Sequence, residues 1–230
     1  MSLLGGAVAL VWLGAYLARR NSAPKPQAPR YVLGPGQNAA LALAHPQAVG
    51  AMDGGFADEV APRLSDNLVA SLRRVLLHEL GLRAELDDAA LKAALPQRLA
   101  SQWYRLTLDK LRDDDDPRAA LAFACARVTF LCRTAALIGW LDEASEWQIL
   151  QLNLLRASEC FGSWQDYGSA WARGRRQWVA NSRADSLGQS FSEQDVARWV
   201  KQSQHPWHDL PWPTPQQAAA WAIPSPADRG

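Results

Sequence analysis

From about residue 66 onward, apolar side chains recur every three to four positions, and the strict alternation of a half-buried strand is missing. Leu68, Leu72, Val75, Leu76 and Leu80 form one such face, which Gly81 closes. Pro96 separates two further stretches, the second carrying Leu99, Trp103, Leu106 and Leu111. Asp116-Pro117 supplies a carboxylate at an N-cap and a proline at N1, where its missing N–H costs nothing. A stripe of Leu121, Cys125, Val128, Leu131, Cys132, Ala135 and Ile138 follows, and Gly139 is its stop. Asp142 opens a helix with Trp147, Leu150, Leu154 and Leu155. Gly162 ends that helix and Ser163, with Asp166 three residues on, starts the next. The same spacing recurs at Ser192 and Asp195 ahead of Val196, Trp199 and Val200. Thr214-Pro215-Gln216-Gln217 marks a last short helix. These signals predict an all-α fold, an irregular or orthogonal bundle of about seven or eight helices, with no repeat of fixed period.

A different segment precedes this body. Leu3 to Ala18 is apolar, uncharged and 16 residues long, and it ends in Arg19-Arg20. As a helix it reaches roughly 24 Å, slightly short of a hydrocarbon core of about 30 Å; snorkelling by Arg19 and local thinning make up the difference. A secretory signal has its basic residues ahead of the apolar run, whereas here they follow it. The positive-inside rule then keeps the arginines and the body in the cytoplasm. The expectation is a single-pass anchor in a bacterial inner membrane, with a cleaved leader or a buried soluble helix as the alternatives. The predicted organisation is an anchor over residues 1–20, a proline-rich tether over 21–50, a helical domain over 51–213 and a short helix and tail over 214–230.

Charge sharpens this division. Arg19, Arg20, Lys25 and Arg30 are the four bases of residues 1–30, which hold no acid, leaving 20 bases against 23 acids beyond. A slightly acidic body lacks the basic face that nonspecific nucleic-acid binding needs. Three cysteines, two of them (Cys125 and Cys132) in the apolar stripe, read as core thiols rather than a disulfide framework.

Eleven tryptophans stand out. Trp164, Trp171 and Trp178 are seven residues apart, with Tyr167 and Gly174 between them, so all five share one seam. Gly174 costs up to about 1 kcal/mol inside a helix, which points to close approach of another helix there. The seam is expected to be interior, with a ligand groove or a partner surface as the alternatives. Arg173, Arg176 and Arg183 lie on the opposite face; Arg175 is nearer the seam, placed to stack on an indole or pair with a buried acid.

Phe161-x-Ser163-Trp164-x-x-Tyr167 and Gly174-Arg175-x-x-Trp178, with Gly139-Trp140 before them, resemble the signature of the bacterial domain of unknown function 1266. Ser203-x-His205-Pro206-Trp207-x-x-Leu210-Pro211-Trp212 is similar to that family's closing segment, and the resemblance covers roughly residues 66–213. It implies a helical bacterial domain and carries no assigned reaction.

Other candidates for chemistry are thin. His78-Glu79 begins an HExxH-like string, but Leu82 holds the second histidine position. His205 and His208 are spaced as a metal pair without a third ligand nearby, Asp113 to Asp116 lack the spacing of a calcium loop, and Asp142, Glu143 and Glu146 sit where acids favour a helix dipole. No cofactor motif is present. Three functional readings follow: a membrane-tethered adaptor or immunity-type module with a protein partner, an enzyme or toxin using Arg175 with neighbouring carboxylates, and an exported periplasmic domain.

Overall fold

The structure is a computed structural model that describes residues 33–48, 66–82, 87–99, 111–180, 191–203 and 205–221. The predicted anchor over residues 3–18 lies outside these. Ten helices are assigned among the described residues: α1 (Pro35–Ala42), α2 (His45–Ala48), α3 (Asp66–Leu80), α4 (Asp88–Gln97), α5 (Pro117–Leu137), α6 (Glu143–Cys160), α7 (Trp164–Ala180), α8 (Glu193–Trp199), α9 (Pro206–Asp209) and α10 (Pro215–Ala220). The all-α expectation holds for these residues, and the helices beyond the expected number are the short α1, α2 and α9.

Most helix boundaries follow the local chemistry. The Asp116 carboxylate accepts the N–H groups of Arg118 and Ala119 at 2.9 and 3.2 Å, and Pro117 occupies N1. Asp142 accepts from the Ser145 N–H, and Ser192 and Thr214 both head complete capping boxes. Gly81 and Gly139 take positive φ, +60° and +74°, at the ends of α3 and α5. The α6–α7 corner is a variant of the expected box: Ser163 Oγ accepts from Asp166 N–H, but the Asp166 carboxylate reaches back to Gly162 N–H. Pro96 lies inside α4 and the helical backbone runs on through residue 99, so no break falls at that proline; residues 100–110 beyond it lie outside the described ones.

α5 is the axis of the fold. It packs chiefly on α7 and then α6, while α1, α2 and α3 also touch it, α8 leans on α7, and α10 on α6. Its burial is not a stripe: Ala119, Ala120, Ala122–Thr129, Leu131, Cys132, Thr134 and Ala135 are all enclosed. Small side chains on every face make that possible. By length and composition α5 could cross a membrane, but 72% of its apolar window is buried inside the domain, as in a core helix.

The proline-rich tether ends earlier than expected. Every residue from 39 to 48 is buried, and α1 and α2 lie inside the bundle rather than outside it. Between Pro35 and Pro46 no proline interrupts the chain, Gln37 Oε1 accepts the Gly34 N–H at 2.8 Å, and residues 39–44 are only Ala and Leu. Such a segment gains more by burial than by solvation. At the other end, Gln151 on α6 donates to Trp221 O at 2.5 Å, so α10 is also part of the packed body.

The predicted close approach at Gly174 is present. A Cβ there would stand 2.0 Å from Ala119 O and 3.0 Å from Phe123 Cβ, so α5 and α7 touch backbone to backbone. Gly174→Ala gains about 1 kcal/mol of helix propensity yet loses far more to this overlap. We expect a net loss of about 3 kcal/mol, read as a fall in Tm of roughly 6–12 °C by circular dichroism; an unchanged or raised Tm would contradict the crossing.

Candidate functional site

A helix end leaves its last carbonyls without partners inside the helix, and buried carbonyls must find donors elsewhere. At the end of α1 the donors are aromatic. Trp207 Nε1–H donates to Ala42 O at 2.9 Å, and the Tyr167 hydroxyl donates to Leu43 O at 2.9 Å with Ala122 O a further 3.3 Å away. Burial pushes the Tyr167 phenol well above its ordinary range, so it stays a donor. Trp164 Nε1–H donates to Leu210 O at 2.7 Å, and its ring stacks on Trp207 with centroids 5.3 Å apart and planes 11° apart. Trp212 meets Trp164 edge-on at 4.7 Å, and Phe161 meets Tyr167 edge-on at 5.4 Å.

The seam on α7 is therefore interior. Trp164, Tyr167, Trp171, Gly174 and Arg175 are buried and Trp178 is half-buried. The N–H of Trp171 has no acceptor among the described residues. Arg173 and Arg176 face outward, as expected, and pair with Asp116 and Glu193. Arg175 turns inward, its guanidinium 5.2 Å from the Phe191 ring.

The arginine that stacks on the seam is one the sequence reading passed over. Arg127, from α5, lies 3.9 Å from the Trp178 ring and pairs with Glu79 of α3. A signal was available: it is a charge in the middle of an apolar run. Arg133 and Glu146 make a second enclosed pair at 2.8 Å. Burial raises the Glu146 pKa, and Arg133 opposes the shift. Beside it, Asn153 Nδ2 donates to Cys125 O at 2.8 Å and to Thr129 Oγ1 at 2.9 Å, while the Thr129 hydroxyl points to Ala40 O at 3.4 Å. This chain of bonds ties α1, α5 and α6 together.

The remaining candidates are dispersed. His78 is exposed while its neighbour Glu79 turns to Arg127. His205 is buried as the N-cap of α9, whereas His208 is turned out beside Asp209, so the HxxH spacing does not bring the two rings to one point. Asp113 and Asp114 are exposed, Asp115 accepts from Arg112 N–H, and Asp116 caps α5. Asp142 caps α6, and Glu143 accepts from Trp147 Nε1–H at 3.3 Å. Cys125 and Cys132 are fully buried thiols, the latter pushed up by burial.

Fold and site together define an all-α domain built around an aromatic clamp on α1, the first of its described helices. The chain belongs to the DUF1266 family, whose description is a protein of unknown function and whose model matches residues 19–212. Neither the curated proteins nor the solved structures include a match. Five of the residues that carried the resemblance meet in three dimensions: Phe161, Trp164, Tyr167, Trp207 and Trp212 form one cluster.

Tyr167→Phe keeps the ring and removes the donor, leaving Leu43 O buried without that bond. The expected cost is about 2 kcal/mol, a Tm lower by roughly 4–8 °C with the native helical signal retained. A Tm equal to wild type would show that this bond does not hold α1.

Proposed function

We propose that this protein is a membrane-tethered interaction module, an adaptor or immunity-type partner of another protein, with its helical domain on the cytoplasmic side of a bacterial inner membrane. The observation that carries this reading is the inward commitment of the family-signature residues. Trp164, Tyr167 and Trp207 direct their polar atoms to this chain's own carbonyls, so their role is architectural and recognition falls to the outer surface. Along α7 and α8 that surface is polar, with Arg173 and Arg176 both at Glu193 and Arg118 at Asp166. Exposed ion pairs contribute little to stability, but arginines at a polar surface are effective contacts for a partner. The tether is supported by the uncharged run 3–18, which ends where the family match begins at residue 19, and by Arg19 and Arg20 directly behind it.

Crosslinking of the tagged full-length protein in cells, followed by mass spectrometry, tests the reading. A specific protein should be recovered with wild type and reduced at least about fivefold with Arg173→Glu/Arg176→Glu, at unchanged Tm. Recovery of nothing beyond the tag control would count against an interaction role. An alkaline phosphatase fused to the C-terminus should be inactive; an active fusion would place the domain on the other side of the membrane.

A further inference from the structure

Two imidazoles meet where α9 closes on α1 and α2. His45 begins α2 and His205 caps α9; both are buried, with ring centroids 4.1 Å apart and planes at 70°. His205 Nδ1 accepts the Trp207 N–H at 3.1 Å, which assigns the ring as neutral with its proton on Nε2. His45 Nδ1 and His205 Nε2 have no partner among the described residues.

We propose that the His45–His205 contact is an acid-sensitive latch, which holds α9 and its Trp207 against α1 and α2 and lets go on protonation while α5, α6 and α7 stay packed. A proton on His205 Nδ1 turns the acceptor of the Trp207 N–H into a second donor, so the α9 cap is lost. A charge on either ring then faces the other ring at close range. The same Trp207 supplies the donor to Ala42 O, so loss of the cap loosens the grip on α1.

Among the described residues, the neighbours offer no charge to compensate. α1 carries no ionisable side chain, and His45 is the only one on α2. On α8, Glu193 pairs with Arg173 and Arg176, Asp195 with Ser192 and Arg198, and Lys201 just beyond is exposed. On α9, the Asp209 side chain is 80% exposed and pairs with His208. On α5, Arg118 pairs with Asp166, Arg127 with Glu79 and Arg133 with Glu146, while Arg175 of α7 lies over Phe191. Tyr167 is a neutral phenol. One contact favours a cation: the Trp199 face stacks on His205 at 5.6 Å. It does not offset the lost hydration of an enclosed ring.

Burial holds His45 at about 3, with His205 adding to the effect, and His205 at about 4, both below the ordinary 6.5. The closed state therefore binds fewer protons than the open one. The latch is fully present above pH 6.5 and weakens as pH falls below it, the opening constant rising by up to about tenfold per pH unit for each ring.

Hydrogen exchange of the full-length protein in nonionic detergent, corrected for intrinsic rates, tests this at pH 7.5 and 5.0. Protection of α1, α2 and α9 should fall at least about tenfold at the lower pH while α5 is unchanged. His205→Asn retains a capping acceptor without a titrating ring and should flatten this dependence; adding His45→Gln should abolish it. Equal protection at both pH values, loss of α5 protection in step with α9, or unchanged pH dependence in the double variant would overturn the latch. Should the variants fail to fold, imidazole NMR of wild type decides: two of the four histidines titrating well below 6.5, in step with loss of the native α9 signals while those of α5 persist, support it, and all four titrating near 6.5, or two titrating low with α9 still closed, refute it.

Discussion

With hydrogen at the α-carbon of residue 174, the backbones of α5 and α7 come into direct contact at Ala119, and the other packing around α5 is arranged about that crossing. Trp171 and Trp178 flank it, each with its ring against Phe123 at 6.5 and 5.6 Å. Gln177 then reaches the start of α5, accepting from Asp116 N–H at 3.1 Å and donating to Asp116 O at 3.2 Å. Arg127 reaches the Trp178 face from the same helix pair. A bulkier residue at 174 would separate the axes, and these contacts fall off steeply with distance.

A second constraint is dielectric. Once α1 is enclosed, its terminal carbonyls have no water, and a fold that hides them must supply donors. Indole and phenol groups suit this because each combines a large apolar ring with one polar atom at its edge. The buried pairs Arg127–Glu79 and Arg133–Glu146 follow the same logic with charge: each tethers one helix to another, and breaking one partner would strand the other. Such pairs define which helices meet more than they add to stability.

The family signature takes on a structural meaning here. Residues chosen for size and one well-placed donor form a pattern in sequence as readily as residues chosen for catalysis. Trp164, Tyr167 and Gly174 are placed by packing and backbone satisfaction, and the two histidines of the latch fall outside the seam altogether, one of them at residue 45. The legible part of the site was its α7 face, since that depends on a seven-residue period within one helix. The clamp's other half was not, because Ala42, Leu43 and Trp207 are distant in sequence and their contact is between a side chain and a backbone atom of unremarkable identity.

Local chemistry alone determined the helical class, the caps at Asp116, Asp142, Ser192 and Thr214, the stops at Gly81 and Gly139, and the inward face of Trp164, Tyr167 and Trp171. Each of these depends on interactions within about one or two turns. Only the tertiary structure decided that residues 39–48 are core rather than tether, that the burial of α5 extends well beyond one stripe, and that Arg127 rather than Arg175 lies on the Trp178 ring. Those outcomes turn on which segments share the interior. An Ala–Leu stretch beside prolines is compatible with either environment until the donors of distant helices arrive to satisfy its carbonyls.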